Sequence, residues 1–214
     1  MIKVFIADDH VMVRKGLKSI LSEDEEIAVI GEASDGDETL RKIRTCITDV
    51  LLLDLSMPGP GFIELIKCIN RLSDPAKPKK ILILSFYPEE QYAFRALKAG
   101  ADGYLTKEHT PDELIAAIKK LYKGGRYVSQ AMAENMLEFV LDKNKQESAM
   151  HEQLSDREYE IFTMLGQGIS IKQISESLSL SSKTISTYRA RLMKKMKMKT
   201  NADIIRYVIE NRLD

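Results

Sequence analysis

A chain of 214 residues, 44% of them hydrophobic and 30% charged, has the length for one large domain or two ordinary ones and the balance of a soluble globular protein with a sizeable core. The zero formal net charge is unevenly spread: Lys and Arg number 21 against 24 Asp and Glu over residues 1 to 150, then 11 against 8 from 151 to 214, with seven basic and no acidic residues from Lys183 to Lys199, where a polyanion would bind. No apolar run approaches the roughly 18 residues of a membrane span. Met1 leads straight into an apolar strand without a basic region or cleavage site, so a cytoplasmic protein is expected, with no secretion and no membrane partner.

Short β-branched runs alternate with helical patterns over the first 122 residues. The strands are expected at 2 to 7, 27 to 33, 49 to 54, 80 to 86 and 102 to 107. Between them apolar residues recur at three- and four-residue spacing, as in Val13, Leu17, Ile20 and Leu21, or Leu114, Ile115, Ile118 and Leu121. This alternation predicts a five-stranded parallel, doubly wound α/β sheet, and the continuous apolar runs at 51 to 53 and 81 to 84 mark central strands. Cys46 and Cys68 sit in amphipathic patterns without metal-ligand spacing and read as buried thiols. Gly124-Gly125 stops the last helix of this region. Met132, Met136, Leu137, Val140 and Leu141 then suggest one more helix, followed by a polar linker at 142 to 153. Beyond it lie four helical patterns, beginning near residues 156, 171, 182 and 201, which form an all-α module. The expected divisions are 1–124, 125–153 and 154–214.

Ligands of doubly wound sheets bind beyond the carboxyl ends of the strands. Asp8-Asp9-His10 follow the first strand, Asp54 the third, Ser85 the fourth, and Thr106-Lys107 the fifth. Three carboxylates at one end of a sheet need a cation, and an all-oxygen site with few protein ligands suits Mg²⁺. A carboxylate nucleophile there can attack a phosphoryl group whose oxygens are shared by metal, lysine and hydroxyl. Asp54 is the best nucleophile, because it is followed by a loop start, Ser56-Met57-Pro58-Gly59, that exposes it and brings the Ser56 carbonyl within reach of the metal. Helix capping alone would account for Asp8, Asp9 and Asp54, but not for Ser85 and Lys107 at the matching ends of two other strands. His10 reads as a loop residue beside the site, while His109 and His151 have no companions suggesting a metal.

The motifs ADDH, LLLDLSMPG, SFYPEEQYAFRALKAGADGYLTK and PDELIAAIKKL together make residues 1 to about 122 resemble the receiver domain of response regulators of the NarL/LuxR/FixJ type, a flavodoxin-like fold. The resemblance implies that Asp54 accepts phosphate from a sensor histidine kinase, that Asp9 ligates Mg²⁺ directly and Asp8 largely through water, and that Ser85 and Lys107 hold the phosphoryl oxygens. Tyr104 matches the aromatic that swings inward as the hydroxyl closes on the phosphate; by its own pattern it is equally an ordinary strand aromatic. One departure stands out. Phe62 occupies a position where the family has glycine, just after Pro60-Gly61, and a positive φ there would strain it.

In the C-terminal region Ser155 and Glu158 have capping-box spacing, and Gly166 and Gly168 end the helix they open. A second helix near 171 to 178, a short turn at 179 to 181 and a third helix from about 182 make a helix-turn-helix candidate. On the third helix Ile185, Leu192 and Met196 point to the core. Thr184, Ser186, Thr187 and Ala190 are small enough to enter a major groove, while Lys183, Arg189, Arg191, Lys194 and the lysines beyond are placed for phosphates of double-stranded DNA. This region, about 150 to 214, is similar to the LuxR-type output domain through LSDRE, SKTISTYRARLMKKM and KTNADIIRYVI. The resemblance implies a transcriptional regulator acting as a homodimer. Two departures carry an expected local stability cost: Ser175 replaces a common alanine, and Lys197 a glycine that ends the recognition helix. The final helix, with Ile204, Ile205, Val208 and Ile209, supplies either a dimer face or core alone. A DNA-binding protein without the phosphorylation switch is the second reading. A metabolite phosphotransferase or phosphatase is the third, and neither a Gly-rich phosphate loop nor a catalytic histidine supports it.

Overall fold

The computed structural model describes residues 1–72, 80–134, 150–178, 180–211 and 213, which form two compact units, Met1–Glu138 and Phe139–Asp214. Four of the five apolar residues expected to form an extra helix after Gly125 (Met136, Leu137, Val140 and Leu141), most of the expected polar linker, and Ser179 lie outside the described residues. Among the described residues no helix is long and apolar enough to cross a membrane.

In the first unit β1 (Ile2–Ala7), β2 (Ile27–Ala33), β3 (Val50–Leu53), β4 (Lys80–Ser85) and β5 (Gly103–Thr106) form a wholly parallel sheet in the order β2-β1-β3-β4-β5. The strands agree with the sequence expectation to within one residue at each end, the usual fraying of ladder hydrogen bonds. They alternate with α1 (Val11–Ser22), α2 (Gly36–Ile43), α3 (Phe62–Asn70), α4 (Glu89–Ala99) and α5 (Pro111–Tyr122). Leu17 and Leu21 of α1, with Leu114, Ile118 and Leu121 of α5, close one face of the sheet over Val4, Ile6, Leu52 and Leu82. The side chains between them in sequence, such as Phe5, Leu51, Leu53, Ile81 and Ile83, are also buried, so β1, β3 and β4 are covered on both sides.

Local chemistry starts and stops these helices. Thr110 and Glu113 form a capping box around Pro111, the first residue of α5. Gly100, at φ 110°, ends α4 in a left-handed turn that only glycine adopts without strain. The order of the strands reverses between β1 and β3, which places a crevice beyond their carboxyl ends.

Among the described residues the second unit begins with a 3₁₀ turn, Met150–Gln153, and continues with α6 (Asp156–Gly166), α7 (Ile171–Ser177), α8 (Ser182–Lys195) and α9 (Asn201–Glu210). Phe162 and Leu165 of α6, Ile174 of α7, Ile185 and Leu192 of α8, and Ile204 and Val208 of α9 are buried together with Met196, so each helix contributes one apolar face to the core of this unit.

Candidate functional site

The parallel register brings the acidic residues together. Ala7 lies opposite Leu53 and Leu53 opposite Ile83, so Asp8 and Asp54 emerge side by side at the switch point; Ser85 lies opposite Thr106, next to Lys107. Backbone bonds carry the ladders one residue further, from Asp54 N–H to the Ala7 carbonyl (2.9 Å) and from Lys107 N–H to the Ser85 carbonyl (2.8 Å). One ligand atom from each of Asp8, Asp9, His10 and Asp54 falls within 4.8 Å of the others.

Charge balance within this cluster comes from Lys107. Its side chain is only 4% exposed, and its ammonium lies 2.7 Å from Asp8 Oδ2 and 3.1 Å from Asp54 Oδ2. Burying two carboxylates beside one ammonium still leaves excess negative charge, to which Asp9 adds. The donor set of hard carboxylate oxygens fits a small divalent cation of the Mg²⁺ type. Asp54 is further held by the Leu55 N–H on Oδ1 (2.8 Å) and the Ser56 hydroxyl on Oδ2 (2.7 Å). The sequence reading pointed to the carbonyl of Ser56; the hydroxyl contact was missed, although a serine two residues after the carboxylate was the available signal. His10, half exposed, places Nδ1 2.8 Å from Asp9 Oδ1 and 3.4 Å from Asp8 Oδ1 at the rim of the cluster. His109 lies beside Glu113 and His151 beside Tyr207, neither in an acidic cluster among the described residues.

Phe86 was also missed. It is 61% exposed, yet its ring covers the Lys107 ammonium at 4.9 Å and meets His10 edge-on at 6.4 Å. Immediately behind it, Tyr87 N–H donates to Ser85 Oγ (3.3 Å), and the Tyr87 carbonyl accepts from the Tyr104 hydroxyl (2.9 Å). Tyr104 is buried, in the inward position. Burial above all, with help from Tyr92, raises its phenol far above the ordinary value, although the Ser85 hydroxyl pulls the other way.

The strain expected at Phe62 is absent. The positive φ of the loop falls on Gly59 (φ 114°), three residues earlier, so Phe62 can open α3 with its ring buried 6.1 Å from that of Tyr92, which in turn stacks on Tyr87 at 4.7 Å. The cysteines are corrected as well. Cys46 and Cys68 are partly exposed free thiols, because Cys46 follows the end of α2 and Cys68 lies on the outer side of α3. Desolvation and the neighbouring Glu64 carboxylate, 3.5 Å from Sγ, raise the Cys68 thiol.

A second candidate surface lies on α8. Lys183, Ser186, Thr187, Ala190, Arg191 and Lys194 are exposed and recur at three- and four-residue spacing, forming one basic, small-residue stripe opposite buried Ile185, Leu192 and Met193. Ser181 caps the helix through Thr184 N–H (3.0 Å), and its hydroxyl lies 2.8 Å from that of Thr184, so Thr184 belongs to the cap. Arg189 donates to Asn201 Oδ1 (2.9 Å) and ties α8 to the start of α9, rather than standing free for phosphate. Lys195 is likewise engaged, on the buried carboxylate of Glu158. Ser175 causes no unsatisfied polar group: its hydroxyl donates to the Lys172 carbonyl (2.7 Å) and accepts from Ser182 (3.3 Å), linking α7 to the first turn of α8.

Two stability predictions arise in this unit. Lys197 follows α8 at φ 54°, in the left-handed conformation on which its expected stability cost depends. Replacing it with glycine removes a steric cost of about 1 kcal/mol, partly offset by the freer unfolded chain, so Lys197→Gly is expected to move the urea midpoint upward, with a gain in unfolding free energy of up to about that amount. Glu158 accepts from Ser155 N–H and Oγ (2.9 Å each). Burial pushes its carboxyl up, but Lys195 and Ser155 together outweigh this and leave it lowered. Its contribution to stability is therefore complete above the ordinary Glu range, about 4.3, and is lost as pH falls through the lowered folded value. Glu158→Gln is expected to melt earlier than wild type at pH 7, with the difference shrinking toward pH 3; a constant difference would remove Glu158 from the acid limb.

Comparison with known proteins follows the same division. Residues 4–119 match the response regulator receiver domain, and residues 152–208 match the luxR family of bacterial regulatory proteins. The chain is 36% identical over 213 residues to the response regulator UvrY of Escherichia coli K12, covering all of this chain and 96% of that protein. It is 35% identical over 215 residues to the oxygen regulatory protein NreC of Staphylococcus haemolyticus, covering 99% and 98%. Among solved structures, RcsB of Salmonella enterica serovar Typhimurium, bound to promoter DNA in the presence of the phosphomimetic BeF₃⁻, aligns over 96% of this chain and 97% of its own, with a TM-score of 0.60 and 26% identity. A five-stranded receiver sheet with its acidic crevice, followed by a four-helix module with an exposed basic stripe, thus belongs to the two-component response regulators that join a receiver domain to a LuxR-type DNA-binding domain.

Proposed function

We propose that Asp54 is the phosphoacceptor of a sensor histidine kinase and that phosphorylation there controls recognition of specific double-stranded DNA by α8. The observation that carries this reading is the placement of the Asp54 carboxylate at the switch point, against Lys107 and within reach of Asp8 and Asp9. A carboxylate oxygen of Asp54 attacks the phosphorus of a phosphohistidine; the P–N bond breaks, and the imidazole leaves with the electron pair. Asp8, Asp9, Asp54 and the Ser56 carbonyl would hold Mg²⁺, which would supply positive charge to the transferring phosphoryl oxygens. Lys107 neutralises one of those oxygens from its present position between Asp8 and Asp54.

Ser85 offers its hydroxyl to another phosphoryl oxygen. Doing so takes Ser85 Oγ away from Tyr87 N–H, and the Tyr104 hydroxyl on the Tyr87 carbonyl holds the rearranged loop inward. On the DNA side, Lys183, Arg191 and Lys194 face phosphates while Ser186, Thr187 and Ala190 approach base edges; Thr184 and Arg189 act at one remove, through the cap and through α9. A homodimer suits short half-sites, and Ile209 of α9, 60% exposed, with half-buried Ile205 offers apolar surface on the last helix for such an interface. We place the receiver at 1–124 with 125–134 packed onto it, and the DNA-binding domain from 154, with Met150–Gln153 joined to it through His151 and Tyr207. A cytoplasmic location accords with this reading.

The test measures affinity of the full chain for duplexes selected from a random pool, across salt concentrations, with and without Mg²⁺ and BeF₃⁻. Affinity is expected to fall steeply with salt and to change on BeF₃⁻ addition. Lys183→Ala, Arg191→Ala and Lys194→Ala are each expected to flatten the salt slope; unchanged slopes in all three would move the DNA surface off α8.

A further inference from the structure

The chain returns to the sheet after α5. Gly124 turns it at φ 92°, and Tyr127 then lies against the edge strand: its N–H donates to the Asp102 carbonyl (3.2 Å), and Tyr104 N–H donates to its carbonyl (2.8 Å), a parallel bridge opposite Gly103. A Cβ at position 103 would stand 2.7 Å from that carbonyl, so glycine is what admits this close approach. Two residues on, Ser129 caps a helical turn by accepting from Met132 N–H (3.0 Å), and Met132 is buried. The N–H of Ser129 itself donates to Glu89 Oε1 at 3.0 Å, across forty positions of sequence.

Glu89 is the first residue of α4 and lies four positions after Ser85. Within those five residues the chain is tied to the acidic crevice through Ser85, to β5 through Tyr87 and the Tyr104 hydroxyl, and to the segment beyond α5 through Glu89. A carboxylate accepting from a backbone N–H at a helix start is among the stronger hydrogen bonds available to a protein. We propose that the Glu89–Ser129 bond is a clasp that couples the β4–α4 loop to residues 129–134, the base of the stretch through which the chain passes to its second unit. Movement of Ser85 and Tyr87 shifts the first turn of α4 and thereby changes the hold on Ser129. The trigger rests on phosphorylation at Asp54; the coupling itself does not.

Hydrogen exchange on the full chain tests it, with peptides from β1 and β3 as an internal reference for global stability. Glu89→Ala is expected to speed exchange in 129–134 by about tenfold or more, the equivalent of one lost charge-assisted bond, with β1 and β3 unchanged. Tyr104→Phe removes only the hydroxyl that holds Tyr87 and keeps the backbone bond to Tyr127, and it is expected to loosen both 86–88 and 129–134. Loosening of 86–88 alone in Tyr104→Phe, or no change in 129–134 in Glu89→Ala, overturns the clasp. Adding Mg²⁺ and BeF₃⁻ is expected to alter both segments in wild type and only the loop in Glu89→Ala. A wild-type response confined to the loop also overturns the clasp, whereas no response in either segment refutes phosphate binding at Asp54 and leaves the clasp decided by the Tyr104→Phe result.

Discussion

Asp54→Asn, incubated with Mg²⁺ and acetyl phosphate, is expected to take up no phosphate, where the wild-type chain gains about one per molecule. An amide oxygen is too weak a nucleophile to form an acyl phosphate, so the loss should be complete rather than partial. The substitution is also mild for the fold. Asparagine keeps an oxygen able to accept from Leu55 N–H, and Lys107 keeps Asp8 as its partner at 2.7 Å. Intact mass gives the stoichiometry and a thermal melt confirms the fold. Persisting uptake would transfer the nucleophile to Asp8 or Asp9, which share the cluster, and would sink the assignment of Asp54. The same variant carried into the DNA-binding assay should lose the response to BeF₃⁻ while retaining the affinity of the untreated protein.

Gly166→Ala should destabilise the second unit by about 1–2 kcal/mol, the overpacking cost less the better helix propensity of alanine. The added Cβ would stand 2.4 Å from Val208 Cγ2 and 2.7 Å from its Cβ. Valine in a helix is nearly fixed at χ1, so Val208 cannot rotate aside and α9 must move instead. Because α9 receives Arg189 of α8 at Asn201, movement there also disturbs the seat of the basic stripe, and weaker DNA binding should accompany the lower melting temperature. Val208→Ala alone opens a cavity and is destabilising too, but the two substitutions together should be less harmful than their sum by about 1 kcal/mol. A Gly166→Ala protein as stable as wild type, or simple additivity in the double variant, would show that α6 and α9 are not in rigid contact at this point.

Much of this organisation was legible before any coordinates. Strand positions followed from runs such as Leu51–Leu53 and Ile81–Leu84, because a strand covered on both faces is apolar without interruption and these runs are too short for a buried helix. The carboxylates Asp8 and Asp54 stood out as charged residues ending such runs. The capping residue Ser155 was equally visible, since caps depend on side chains a few positions apart. Short-range chemistry of this kind is written locally, and the sequence determined it: two units, the strand ends that gather the acidic residues, and a basic stripe on the third helix of the second unit.

Tertiary structure decided what depends on contacts between residues distant in the chain or on the placing of a turn. The sequence located an awkward loop at Phe62 but not which residue turns it; Gly59 takes the positive φ and frees Phe62 to pack on Tyr92. It marked Arg189 and Lys195 as free cations, whereas Asn201 and Glu158, twelve and thirty-seven positions away, occupy them. Nor does any local pattern show that Phe86 covers Lys107 or that Glu89 reaches Ser129. Periodicity reports which face of an element is buried; which neighbour it meets is set only when the elements pack, and that packing makes the strand-end residues one site and leaves part of the basic stripe free.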